Sequence, residues 1–222
     1  MKKNVLAIVA LAALSLTACK KENAAVETNE TAETTEQTTD AVSFKIDAGA
    51  SKIDWIGSKL SGSQHTGTIA LQGGEVFVTD NALTGGRFIV DMNTITVTDL
   101  TDAEMKGNLE AHLKGATEEN ADHFFNVSQF STSSFEITNV VEENDNHMIE
   151  GNLTIKGTTH NIKFPANVSI TANEVVLNSE EFEIDRTRWN VNYNSGSVIK
   201  DLAGDKVIND NIKLTVTVKA AK

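Results

Sequence analysis

From Phe44 to Lys222, apolar and polar positions alternate with a period of two in one stretch after another. That is the mark of strands with one buried and one wetted face. The clearest run is Asn161 to Ile170: Ile162, Phe164, Ala166, Val168 and Ile170 point one way, and Asn161, Lys163, Asn167 and Ser169 the other. Near the C-terminus Ile212, Leu214, Val216 and Val218 alternate with Lys213, Thr215, Thr217 and Lys219. Shorter cases are Phe88, Val90 and Met92, then Leu153 and Ile155, then Phe182 and Ile184. Gly73-Gly74, Gly85-Gly86, Glu143-Asn144-Asp145-Asn146 and Gly157 read as the turns between strands. The pattern predicts eight or nine strands.

One segment breaks the period. Met105, Leu109 and Leu113 recur every fourth residue between Leu100 and Lys114, which predicts a helix. Thr101 with Glu104 reads as its capping box and Gly115 as its C-terminal cap. Strands that follow one another through short turns favour an antiparallel meander, and about eight of them tend to close into a barrel to avoid open edges. The fold class expected is therefore all-β with one short helix, an antiparallel β-barrel of about eight strands. A β-sandwich is the competing architecture.

Before Phe44 the pattern changes twice. Met1-Lys2-Lys3, an apolar run from Val5 to Leu16, and small residues up to Cys19 form an export signal. The run is too short to span a bilayer, which takes ~20 apolar residues. Leu16-Thr17-Ala18-Cys19 matches a bacterial lipobox, so residues 1–18 are expected to be a signal peptide and Cys19 the lipidated residue that moors the chain to a membrane. Cys19 is the one cysteine of the chain, which leaves the mature domain without disulfides or a thiol nucleophile. Residues 19–42 are rich in Glu, Thr, Ala and Asn with no apolar period. Such a segment buries too little to offset its ordering entropy and reads as a flexible tether. Residues 43–222 form the barrel domain. The expected localisation is the cell envelope, lipid-anchored at the outer membrane on its periplasmic or surface side.

Charge narrows the partners. Loss of Lys2 and Lys3 with the signal takes 19 basic residues to 17 against 31 acidic, a formal charge of −14 instead of −12. Phosphate backbones need clustered Lys and Arg, so nucleic acid is not an expected partner. A homodimer is compatible with the sequence.

Catalytic patterns are sparse. There is no G-x-S-x-G elbow, phosphate-binding glycine loop or H-E-x-x-H. His65, His112, His123, His147 and His160 lack ligand spacing, so neither metal nor cofactor is expected. His112 and His123 flank the helix end and can approach one another. Asp185-Arg186-Thr187-Arg188-Trp189 sets two cations beside an aromatic, either as a rim ion pair with Trp packing or as a polar contact at a pocket mouth. The adjacent Phe124 and Phe125 follow the helix, where a loop crossing the barrel mouth would bury both as a plug or a greasy lid. The inner face is almost uncharged. It is either a packed core or a dry cavity for an apolar ligand, and periodicity does not separate the two.

Asp122-His123-Phe124-Phe125-Asn126-Val127-Ser128-Gln129-Phe130 and, further on, Gly151 to Thr159 resemble in order the paired-Phe signature and the G-x-L-T-i-x-G-x-T hairpin of the YceI-like family. Trp55 through His65-Thr66-Gly67, Gly85-Gly86-Arg87-Phe88 to Asp91-Met92-Asn93, and Ile184-Asp185-Arg186 to Trp189-Asn190 match as well. Asn126 and Ser131 depart from the family's Asp and Pro, which affects a turn and not the fold. The resemblance covers nearly all of Phe44 to Lys222. It implies a lipocalin-like barrel enclosing a polyisoprenoid or a fatty-acid-like chain.

On that reading Trp55, Phe88, Val90, Phe135, Leu153, Phe164, Phe182 and Ile184 contact the ligand, Phe124 and Phe125 cover it, and His65, Arg186 and Trp189 stand at the mouth. The expected function is ligand binding for transport, storage or stress protection, without catalysis. A filled barrel serving as a protein-interaction module is the main alternative. An envelope enzyme would need two of His65, Asp185 and Arg186 in hydrogen-bond reach of one another inside the barrel.

Overall fold

The computed structural model describes residues 24–34, 39–143 and 146–222. The signal, Cys19, and the turn residues Asn144 and Asp145 lie outside the described residues. Eleven strands and one α-helix occur among the described residues: β1 (Val42–Ile46), β2 (Lys52–Ser58), β3 (Gln64–Thr79), β4 (Ala82–Asp91), β5 (Thr96–Val97), α1 (Ala103–Lys114), β6 (Thr132–Glu143), β7 (Asn146–Ile155), β8 (Thr158–Ile170), β9 (Glu174–Ser179), β10 (Phe182–Asp185) and β11 (Asn211–Ala221). All pairings between these strands are antiparallel. The order β11-β2-β3-β4-β6-β7-β8-β9 closes on itself through β9 and β11, a ring of eight.

The other three strands explain why the pattern predicted fewer elements. β1 and β2 share one slot between β3 and β11, interrupted by the turn at Asp47, whose carboxylate accepts from the Gly49 and Ala50 amides. β9 and β10 share the next slot against β11. β5 adds two residues beside β3.

Two glycine pairs expected at turns lie inside strands instead. Gly73-Gly74 sits at a bulge in β3, and Gly85-Gly86 pairs with Phe77 and Val76. A Cβ at Gly74 would meet the Arg87 carbonyl oxygen at 1.9 Å, so glycine is required where the two backbones close in. The β3–β4 turn is made by Asp80 and Asn81, both at positive φ, as a type I′ hairpin demands. The β7–β8 turn is Lys156-Gly157, again with φ positive at both residues.

The inward sets predicted from alternation form the main core, except that Val90 and Met92 belong to a second cluster with Ile69, Ile95 and Val127. Phe44, Phe88, Phe135, Ile162, Phe164, Leu177, Phe182, Ile184 and Val218 are buried together, with Val168, Ile170, Ile212, Leu214 and Val216 packed partly buried against them. Helix α1 begins one residue later than its expected cap. Asp102, and not Thr101, accepts from the Met105 amide, while Gly115 caps the other end in the left-handed region. Met105 is 59% exposed, so the helix stripe that faces the barrel is Leu109 and Leu113 alone. The loop after α1 is tied to its last turn by Phe125 and Val127 amides donating to the Leu113 and Lys114 carbonyls.

Residues 24–34, within the segment expected to be a free tether, are in contact with the barrel. β8 pairs with β9 only from Ala166 onward, and β10 pairs with β11 among the described residues. This leaves a seam between β8 and β10. Asn29 exchanges two backbone hydrogen bonds with Asn161 of β8, and the Val26 amide donates to the Glu183 carbonyl of β10. The Asn152 side chain then bonds Ala32 through both its amide group and its oxygen. Asn161 and Asn152 point outward, yet Asn161 is only 2% exposed. Its amide finds Thr138 and Asn152. Backbone edge pairing needs no apolar period, which is why composition alone did not reveal this strap; Val26 is its one apolar contact with the core.

Candidate functional site

The inward residues of β2 and β11 descend in paired steps, Trp55 opposite Leu214 and Ile53 opposite Val216. Three chambers follow these steps into the barrel. The outermost, about 330 Å³, opens between the β2–β3 hairpin (Gly57, Lys59, His65), the face of α1 (Leu109, His112, Leu113), Phe124 and Tyr193. The middle one, about 90 Å³, shares Trp55, Gly57, Leu113, Phe124 and Ile208 with the mouth and adds Phe125, Ile69 and Arg186. The deepest, about 50 Å³, shares Leu214 with the middle chamber and is lined by Phe88, Val90, Phe135, Leu153, Phe164 and Phe182 among others.

An aromatic row crosses the deep chamber. Phe88 faces Phe135 at 6.0 Å between ring centroids, Phe135 faces Phe164 at 5.4 Å, and Phe164 stacks on Phe182 at 4.4 Å. Alternation places one Phe from each of β4, β6, β8 and β10 on the inner face, so the row is a direct consequence of the period of two.

A second cluster guards the mouth. His112 Nε2 lies 2.8 Å from His123 Nδ1, His123 stacks on Tyr193 at 4.1 Å, and Phe124 packs edge-on against His112. Burial, and secondarily the charge of His123, hold the His112 pKa below the usual histidine value. His65 is bonded through Nδ1 to Asp99 at 2.9 Å, and Asp99 also accepts from the Thr66 amide. Burial opposes ionisation of Asp99, but the bonds from the Thr66 amide and His65, together with the Asp99 amide and the charge of His65, outweigh it and lower its pKa.

Arg186 has a different role from the one expected. It lines the middle chamber, but its guanidinium donates to the carbonyls of Val191, Ile208 and Asn209 and lies 3.6 Å from Asp210. Its hydrogen-bonding capacity holds the 190–209 loop, and burial lowers its pKa against the opposing pull of Asp210 and Asp185. Trp189 is 0% exposed, lines none of the three chambers, and donates from Nε1 to the Leu153 carbonyl. It belongs to the core and not to the mouth. Ile184 is likewise core behind the chambers. The remaining residues predicted to bind ligand (Trp55, His65, Phe88, Val90, Phe124, Phe125, Phe135, Leu153, Phe164 and Phe182) each line a chamber.

Asp185 is taken up by Thr187, accepting from its amide and hydroxyl. Thus His65, Asp185 and Arg186 each bond elsewhere and not to one another. Tyr193 was not foreseen: it sits in an irregular stretch with no period to flag it. Among the described residues no group of three or more His, Cys, Asp or Glu could hold a metal ion, and no helix is long and apolar enough to cross a membrane.

An antiparallel ring of eight strands, with an apolar interior tapering below a mouth closed by one helix and an aromatic loop, defines a lipocalin-like barrel. The chain belongs to the YceI-like family, whose domain model matches residues 44–220. Two solved structures share the fold. BcnA of Burkholderia cenocepacia is 16% identical with a TM-score of 0.57, over 79% of this chain and 99% of its own. A polyisoprenoid binding domain from Saccharophagus degradans, implicated in plant cell wall breakdown, is 14% identical with a TM-score of 0.56, over 80% of this chain and 97% of its own. No curated protein matches the chain at a significant level.

Proposed function

We propose that this protein is an envelope lipoprotein that binds a long apolar ligand, a polyisoprenoid or a fatty-acid-like chain, inside its barrel for transport, storage or stress protection. The observation that carries this reading is the serial set of chambers: a mouth wide enough for a head group leads past Trp55 and Phe124 to an aromatic-lined interior. Moving an apolar chain from water into such walls gains ~25 cal/mol per Å² of area buried, and no catalytic group is needed. Family membership and the polyisoprenoid binding named for the Saccharophagus relative agree with it. The engagement of His65, Asp185 and Arg186 by other partners favours binding over catalysis.

Cys19, as the lipidated residue, would keep such a carrier beside the membrane where its insoluble cargo resides. One observation favours a second reading. The inner chambers hold only about 90 and 50 Å³, below the usual 300–1,000 Å³ of small-molecule sites, so a filled barrel acting as an interaction module is the alternative. Mass spectrometry of a solvent extract of the soluble chain, begun after Cys19 and purified without detergent, separates the two. An isoprenoid or acyl species near one per protein is expected. An empty extract, together with no uptake of added polyprenol or fatty acid, would leave the interaction module.

A further inference from the structure

Six large hydrophobic side chains stand exposed among the described residues: Val42, Leu60, Met105, Val141, Val198 and Ile199. Apolar side chains scattered singly over a surface are ordinary, whereas a group around one opening is not. Four of the six border the mouth. Leu60, 66% exposed, follows Lys59 of the mouth lining, and its amide donates to the Val207 carbonyl. Val198 and Ile199 are tied to the same place: the Ile199 amide donates to the Ser195 carbonyl, and Ser195 and Lys59 both bridge to Ile208. Met105 lies one turn before Leu109 on α1, the helix that forms another wall of the mouth. Val42 and Val141 sit at the opposite end of the barrel, near the Asp80-Asn81 turn and the β6–β7 turn.

Sequence neighbours separate the two ends. At the mouth a lysine is joined directly to each apolar tip, in Lys59-Leu60, Met105-Lys106 and Val198-Ile199-Lys200; Lys106 also faces Glu110 at 3.9 Å. At the opposite end the neighbours are acidic, with Asp40 two residues before Val42 and Glu142-Glu143 after Val141. The rim segments 59–64, 102–106 and 195–208 set Lys59, Lys106, Lys200 and Lys206 against Asp102, Glu104, Asp201 and Asp205, a balance of four and four in a chain of formal charge −12. The rim of this acidic molecule therefore meets a lipid surface without net repulsion. An apolar tip beside a lysine suits such an interface: the tip enters the acyl boundary, while the lysine stem lies along it and keeps its ammonium among the phosphates.

We propose that the mouth rim seats on a lipid bilayer, with Leu60, Met105, Val198 and Ile199 in the boundary between headgroups and acyl chains. The proposal rests on the apolar-ligand reading above and adds the route of the cargo. With the rim in the bilayer, the mouth chamber opens onto the acyl region. A long apolar chain then passes between membrane and barrel without crossing water, where its exposed area would cost ~25 cal/mol per Å².

The test uses the soluble chain begun after Cys19, which contains no cysteine. Leu60→Cys, Ile199→Cys and Val141→Cys variants each carry one environment-sensitive fluorophore and are mixed with vesicles of phosphatidylethanolamine and phosphatidylglycerol. Emission should brighten and shift to the blue at positions 60 and 199 and stay unchanged at 141. No change at any of the three, or an equal change at 141, would overturn the proposal. A second readout follows unlabelled protein loaded with a fluorescent polyprenol. Transfer to vesicles should speed up with vesicle concentration, as collision requires. Leu60→Ser combined with Ile199→Ser should slow it about tenfold, a factor within what burying one leucine-sized side chain supplies. Neither side chain lines a chamber, so the double variant should bind the polyprenol in solution as wild type does. Transfer indifferent to vesicle concentration, or to the double substitution, would mean release through water and also overturn the proposal. A polyprenol that never loads would instead sink the apolar-ligand reading, and the labels at 60 and 199 would still decide whether the rim meets the bilayer.

Discussion

Three residues each fix a different part of the interior. Gly67 gives the Trp55 ring its seat, with the Thr96 carbonyl only 2.0 Å from where a Cβ would stand. Gly67→Ala is therefore expected to cost about 1–3 kcal/mol, as overpacking does, and to change Trp55 fluorescence; urea unfolding followed by emission measures both. Arg186 binds three carbonyls of the loop that brings Val191 and Ile208 to the chamber wall. Its replacement by Leu strands those carbonyls and Asp210, for an expected loss of about 3–5 kcal/mol, seen as a lowered denaturation midpoint. A loss within experimental error would contradict the structural role assigned to it.

His112 carries the pH dependence of the mouth. Its folded pKa lies below its unfolded value because of burial and the facing His123. Between those two values the unfolded chain binds more protons than the folded one, so stability is complete above about pH 6.5 and falls as pH drops below it. Protonating both rings would also break the bond between them. Thermal melts from pH 8 to pH 5 should show this decline, and His112→Gln should flatten it. A decline of unchanged size in the variant would place its origin elsewhere.

At the scale of elements, the strap of residues 24–34 and the seam it fills matter most. Its backbone bonds to Asn161 and Glu183 replace the ladder that β8 and β10 do not form with one another. A chain begun at residue 39 should retain the barrel, yet unfold more easily. In hydrogen exchange its Asn161 amide should lose protection, while the β3–β4 ladder stays unchanged. Equal protection of Asn161 with and without the strap would mean that the seam closes by itself.

Much of the element scale was legible because alternation is a local property. The inward sets of β8 and β11, and the aromatic row from Phe88 to Phe182, follow from reading every second residue. Features set by one backbone meeting another were not legible. The bulge at Gly73, the broken β1–β2 slot and the strap each depend on which strand lies alongside, and that information sits far away in sequence. Helix α1 lies between: its span and its Gly115 cap were readable, but Asp102 took the capping position and Met105 fell on the solvent side.

For the whole molecule, the chambers connect one end of the barrel to its aromatic middle, and the candidate site was legible to the extent that it is made of strand residues. Phe88, Phe135, Phe164 and Phe182 were found by period, and the approach of His112 to His123 by their places on either side of the helix end; Tyr193 depends on a loop folding back across the mouth. Arg186 and Trp189 were placed at the mouth because cations beside an aromatic suggest recognition, and burial gave them structural partners instead. Phe164→Ala, which removes the ring that stacks on Phe182 and meets Phe135 at a tilt, should cost about 3–5 kcal/mol and enlarge the deep chamber. The small inner volumes mean that a long ligand must turn side chains aside as it enters, with Phe124 and Leu113 at the first constriction. The central claim is best tested by a crystal structure of the protein saturated with a long polyprenol. The account predicts continuous density from beside Tyr193 and Trp55, past Phe124, to the ring of Phe182. Ordered polyprenol confined to the outer surface, or an interior unchanged at saturating ligand, would contradict it.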